Sequence, residues 1–148
     1  MTGKFPLQPL LDLANTRMDD AARRLGELIA SERSGQQKLE MLENYRAEYR
    51  DRFVDAARAG IGPDELRNFT AFINRIDDAI AAQHVVVEQS RNHTSQGQKV
   101  WMAQRNKVRA FDTLSQRHLD QQSRHESRQE QRASDEHAAR QHLERDGD

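Results

Sequence analysis

The stretch Ala57–Leu66, "ARAGIGPDEL", decides the fold. Gly60, Gly62 and Pro63 stand together in it, and the other two prolines, Pro6 and Pro9, lie near the start of the chain. A glycine just past a helical run accepts the left-handed conformation that closes a helix. Pro63 followed by Asp64 and Glu65 is a helix start, because proline needs no partner there and carboxylates suit the positive end of the helix dipole. The stretch therefore reads as a tip, at 59–64, between two long helices folded back on each other.

The residues on either side carry the seam such a hairpin needs. Before the tip, a three-four spacing runs through Leu11, Ala14, Met18, Ala21, Leu25, Leu28, Glu32, Gly35, Leu39, Leu42, Arg46, Tyr49, Phe53 and Ala56. After it, the stripe resumes at Leu66, Phe69, Ile73, Ile76, Ile80, Gln83 and Val87. It fades through Ser90, Thr94 and Gly97, then returns at Trp101, Gln104, Val108 and Phe111. A sustained mean period of 3.5 residues is the pattern of a left-handed coiled coil. The expected fold class is all-α, a long antiparallel two-helix coiled-coil hairpin over 1–117. Each helix would hold roughly 45–50 residues, giving a rod on the order of 70 Å at 1.5 Å per residue.

Composition agrees with a thin seam. Leu, Ile, Val and Phe make up 28 of the 148 residues, too few for a thick globular core. Charged residues reach 32%, yet the net charge is −1, so both signs are interspersed as on solvated helices. No cysteine is present, which excludes disulfides and cysteine-based zinc sites. The first twenty residues lack a signal-peptide pattern, and no run approaches the ~20 apolar residues of a membrane span. A cytoplasmic protein is expected. The sequons at Asn68 and Asn92 are then chance.

Equidistance from the tip sets "SERSGQQ" (Ser31–Gln37) approximately opposite "SRNHTSQGQ" (Ser90–Gln98), allowing a slip of a few residues, and sets Trp101 near Ala22 and Gly26, where small side chains leave room for an indole. Gly35 and Gly97 would mark a bendable middle, since glycine within a helix costs about 1 kcal/mol relative to alanine. From about Gln116 the apolar stripe disappears. Residues 118–148 are expected to form a polar helical extension whose far end frays or is disordered.

No catalytic constellation is present. The seven glycines are scattered, so there is no phosphate-binding loop, and there is no nucleophile motif. His137 and His142 are five residues apart, not the three or four that place two ligands on one helix face. No catalytic residue, metal or cofactor is expected. The basic patch Lys99–Arg109 around Trp101 is explained by a seam tryptophan with solvated neighbours, although a nucleic-acid contact would use the same residues. A protein of this kind acts through what its ends and faces touch.

Taken together, several segments resemble the FliJ family, small coiled-coil proteins of the bacterial flagellar type III export apparatus. The resemblance runs from about Leu10 to Arg117. It rests on "LDLANTRMDDAARRLGEL" (Leu11–Leu28), "LEMLENYRAEYR" (Leu39–Arg50), "NFTAFINRIDDAIAAQ" (Asn68–Gln83), and Trp101 with "KVRAFDTLSQR" (Lys107–Arg117). It implies a stalk-like antiparallel coil whose terminal ends enter the pore of the hexameric export ATPase. It also implies contact with the cytoplasmic part of the export gate protein FlhA, at the cytoplasmic face of the inner membrane, and a part in handling export chaperones of late substrates.

Carried over residue by residue, the gate-facing surface falls on Leu42, Tyr45, Tyr49, Phe72, Ile76 and Ala79. Lys38 and Gln83 stand at its two edges, where the chemistry departs from the family pattern. Tyr45 and Phe72 lie just off the seam and hairpin pairing brings them together, so the residues themselves suggest an exposed aromatic cluster. The alternative is that Tyr49 and Ile76 are core and only Tyr45 and Phe72 are accessible. For the ATPase ring, exposed charges near the open end supply Arg17, Asp19, Arg23, Arg24, Arg105, Lys107 and Arg109. The rival reading is a generic coiled-coil adaptor or chaperone with no ATPase partner.

Overall fold

The computed structural model describes residues 3–147, and two helices dominate it. α1 spans Gln8–Ala59 and α2 spans Pro63–Asp146. The three residues between them form the tip. Gly60 has a φ of +91°, and its amide donates to the Ala57 carbonyl at 3.2 Å. This is the left-handed residue that ends α1, a conformation in which a Cβ would be strained. Pro63 opens α2, Asp64 and Glu65 lie in its first turn, and the Leu66 amide donates to the Gly62 carbonyl at 3.1 Å. The all-α hairpin expected from the spacing is the fold observed. α2 is much longer than expected, with 84 residues against 52 in α1, because the polar tail continues it without a break. From Ser123 to Gly147 every side chain is exposed, yet the expected disorder is not seen: the helix persists to Asp146. Side-chain pairs one turn apart, such as Gln131 with Asp135 at 3.0 Å and His142 with Asp146 at 3.2 Å, lie along it.

The chain divides into two packed units. The first runs from Asp20 to Met102 and includes the tip. Its helices pair residues equidistant from a point near Ile61. Phe53 meets Phe69, Tyr49 meets Phe72, Arg46 meets Asp77, Gly35 meets Val87, and Thr94 Oγ1 donates to the Leu28 carbonyl. Ala21, Ile76 and Val87 are its buried apolar residues, and Gln83 is buried with them. The seam residues predicted for α1 here are all buried or half-buried. Leu66 departs from expectation: it is exposed on the first turn of α2, and the seam begins at Phe69.

The middle of this unit corrects two expectations. Ser31–Gln37 faces Ser90–Gln98 only at one end, where Arg91 lies 3.7 Å from Glu32. Gly35 packs against Gln83 and Val87, whereas Gly97 packs against Leu25 and Leu28. The glycines sit at different levels, so they do not define one weak point. A Cβ on Gly97 would lie 2.6 Å from Leu28 Cδ1, so this glycine makes room for a leucine. Gly26, expected to accommodate Trp101, is exposed with nothing near its Cα face. Trp101 is half-buried, and the register places it level with Ala21.

The second unit holds the chain up to Asp19 and from Ala103 onward. Leu11 and Ala14 of α1 and Val108 of α2 form its core, with Met18 and Phe111 packed around them. The segment before α1 then folds over α2. The Gly3 carbonyl accepts from Gln122 Nε2 at 2.6 Å and lies 3.2 Å from His118 Nε2, and the Phe5 ring rests on the His118 ring at 5.7 Å. The stripe on α2 thus continues past Phe111 through Ser115, His118 and Gln122, which are half-buried although polar. Hydropathy alone does not reveal such an extension. Among the described residues no helix is long and apolar enough to cross a membrane.

Candidate functional site

In the tip-bearing unit, five aromatic rings form one continuous cluster across the two helices. Tyr49 lies 4.3 Å from Phe72 and 5.1 Å from Phe69 between ring centroids, and Phe53 lies 5.0 Å from Phe69. Tyr45 stands at the edge, 6.0 Å from Phe72 in an edge-on arrangement and 6.4 Å from Tyr49. Tilted and edge-on contacts at these distances are the favoured geometries of aromatic pairs.

Burial sorts the residues of the expected gate surface. Tyr45 is 43% exposed and Ala79 and Lys38 are exposed. Leu42, Tyr49 and Phe72 are half-buried. Ile76 is 5% exposed and Gln83 7%, so neither offers its side chain to a partner. Gln83 Nε2 donates instead to the Gly35 carbonyl at 3.0 Å, across the seam. The reason is positional: Tyr45 and Phe72 each precede a seam residue by one, whereas Ile76 and Gln83 are seam residues themselves. Met41, 61% exposed, lies one turn before Tyr45 and extends the apolar surface; an apolar residue four positions before Tyr45, on the same helix face, is the signal that could have included it.

A half-exposed cross-helix ion pair adjoins this cluster. Arg46 Nε donates to Asp77 Oδ1 at 2.5 Å, and its Nη2 lies 3.4 Å from Oδ2. The hydrogen bond from Arg46 holds the Asp77 carboxyl below its ordinary value of 3.8, and the same bond raises the Arg46 guanidinium. Spacing alone placed Arg46 on the seam; Asp77, one position off it, was not marked.

The charges expected at the ATPase ring fall in both units. Arg17, Asp19, Lys107 and Arg109 are exposed in the unit that holds the chain ends, and Arg105 there is half-buried. Arg23 and Arg24 belong to the tip-bearing unit and are exposed, with Arg24 3.3 Å from Glu27. Among the described residues no three His, Asp or Glu side chains are grouped to hold a metal ion.

Comparison with known proteins places this geometry. The model of the family described as "Flagellar FliJ protein" matches residues 3–147. The flagellar FliJ protein of Salmonella typhi is 31% identical over 134 residues, covering 90% of this chain and 91% of that protein. The protein of the same name from Escherichia coli K12 is 30% identical with the same coverage. Among solved structures, CT670 of Chlamydia trachomatis, described as a YscO homolog, superposes with a TM-score of 0.68 over 95% of this chain and 96% of that one. At 17% identity it speaks for the fold alone. With a family match over nearly its whole length and two relatives that align across the same hairpin, the chain belongs to the flagellar FliJ protein family.

Proposed function

We propose that this chain works in the flagellar protein export apparatus as a non-enzymatic helical hairpin that links the export ATPase to the export gate. Membership of the FliJ family supports the setting. The observation that carries the finer reading is the Tyr45–Phe72 pair: two aromatic rings off the seam, with half-buried Tyr49 packed against both. Aromatic side chains presented on a rigid base are the usual anchors of a protein interface. In this reading Tyr45, Phe72, Leu42 and Ala79 touch the cytoplasmic part of FlhA, while Tyr49 holds the two rings in place and Ile76 stays buried.

The unit with the chain ends engages the hexameric ATPase through Arg17, Asp19, Arg105, Lys107 and Arg109, and Arg23 and Arg24 of α1 add exposed charge. A two-helix hairpin has no sixfold symmetry, so inside a ring it meets six subunits unequally and binds their nucleotide states with unequal affinity. Such differential binding is the physical requirement for coupling. Late-substrate chaperones are further partners in this reading, and the site of action is the cytoplasmic face of the membrane.

The test has two arms. ATP turnover by the purified cognate ATPase is measured with and without this protein, at low and high salt. Stimulation that falls on charge reversal at Arg17, Lys107 and Arg109, most strongly at low salt, is expected. Affinity for the FlhA cytoplasmic domain is measured on Tyr45→Ala and Phe72→Ala, with a loss of about 1–3 kcal/mol each and unchanged helicity expected. Unchanged turnover and full gate affinity would leave a generic helical adaptor as the better description.

A further inference from the structure

The flank of the tip-bearing unit opposite Tyr45 and Phe72 carries two recesses. Residues that precede one seam position and follow the next lie on opposite sides of a coiled-coil seam. Tyr45 precedes Arg46, whereas Arg50 follows Tyr49, so Arg50 marks the second side. Near the tip, a recess of about 220 Å³ has Phe53, Phe69 and Ile73 as its floor, with Arg46, Arg50 and Asn74 at its rim. Arg46 is held by Asp77. Arg50 is exposed and has no ion-pair partner among the described residues.

A second recess of about 480 Å³ lies over Leu39 and buried Val87. Its rim is acidic, with Glu40, Glu43 and Glu88. Two basic groups also line it, each directed at an acid: His84 is 3.8 Å from Glu43, and Arg91 is 3.7 Å from Glu32. Both recesses are on one flank, because Glu43 and Arg50 are seven residues apart on α1 and Thr70, His84 and Arg91 fall at multiples of seven on α2. Phe53 and Leu39, one in each floor, are fourteen residues apart, or about 21 Å at 1.5 Å per residue.

We propose that this flank docks a single amphipathic helix from a partner protein. Its apolar stripe fills the two recesses, its acidic end lies over Arg50, and its basic end lies over Glu40, Glu43 and Glu88. The opposite signs of the two rims fix the direction in which the helix lies, and half-buried Phe53, Phe69 and Ile73 in one floor and half-buried Leu39 in the other supply the apolar contact a third helix needs. The inference uses no residue of the Tyr45–Phe72 side and does not depend on the gate reading.

The experiment uses the full chain and a synthetic 21-residue helix with leucines at three- and four-residue spacing, glutamates at one end and lysines at the other. A nitroxide label is placed at the acidic end. Binding is followed by fluorescence anisotropy, and the position of the label by broadening of amide signals. Wild-type protein is expected to bind, with broadening at Thr70 and Asn74. Arg50→Glu and Glu43→Lys should each weaken binding about tenfold, with helicity unchanged because both residues are exposed. Inverting both rims, with Arg50→Glu, Glu40→Lys, Glu43→Lys and Glu88→Lys together, should restore affinity with the peptide reversed, moving the broadening to Gln36 and Arg91. No binding at millimolar peptide, full affinity in Arg50→Glu, or broadening at Tyr45 and Phe72 would overturn the proposal.

Discussion

Asp77 and Gln104 show how much single polar side chains matter in so thin a core. Because Arg46 holds the Asp77 carboxyl below its ordinary 3.8, the unfolded chain takes up that proton first as pH falls. The pair's contribution is therefore complete above the ordinary value and is lost as pH drops through the folded one. Thermal melts between about pH 2 and 6 should show an acid-side loss of stability that is smaller in Asp77→Asn, whose melting point should also be lower near neutrality. Gln104 presents the reverse case: its Oε1 is buried without a hydrogen-bond partner among the described residues. An unmet buried acceptor costs free energy that an apolar side chain of similar size avoids, so Gln104→Leu should stabilise the protein by about 1 kcal/mol in urea unfolding. At this scale the sequence was legible where a residue's type agreed with its position. Tyr45 and Phe72 could be placed off the seam by counting. Counting also put Gln83 on the seam, but not its bond to the Gly35 carbonyl, because that partner is a main-chain atom that no residue type announces.

At the level of the helices, the tip and the seam could be read and the ends could not. Gly60 is the clearest case: it sits at φ +91°, where an added Cβ is strained. Gly60→Ala should cost about 1–2 kcal/mol in thermal or urea unfolding, whereas Gly62→Ala, where a Cβ would meet nothing and φ is not left-handed, should cost less. The start of the chain escaped prediction because its docking depends on the Gly3 carbonyl and the polar side chains of His118 and Gln122. The last two dozen residues were legible as a polar helical extension but not as one that runs unbroken to Asp146, because their helix is carried by neighbours one turn apart and buries nothing. Removing residues 123–148 should accordingly lower the helical circular dichroism signal in proportion to length. It should leave the melting temperature of the remainder within about 2 °C, since no core contact is lost.

For the molecule as a whole, folding and function are separable by choice of variant. In a motile host lacking this protein, swimming should be absent and should return with the intact chain. Ile76→Asp buries a charge and should fail because the hairpin does not form. Tyr45→Ala with Phe72→Ala should keep full helicity and still spread on soft agar at less than about half the normal rate, the behaviour of a lost interface hot spot. Equal spreading would remove the aromatic flank from the account of function. Family membership was legible only when several weak segments were read in order, because any one seam resembles many others. The constant distance of paired residues from Ile61 in the tip-bearing unit carries a further consequence. A deletion in one helix there shifts every pair farther from the tip out of step; between Arg46 and the tip it would part Arg46 from Asp77 and Gly35 from Val87. Length within Asp20–Met102 can change only by matched edits, one heptad from each helix at the same distance from the turn. A history of natural insertions and losses in this part of the gene should therefore be a history of mirror-image pairs.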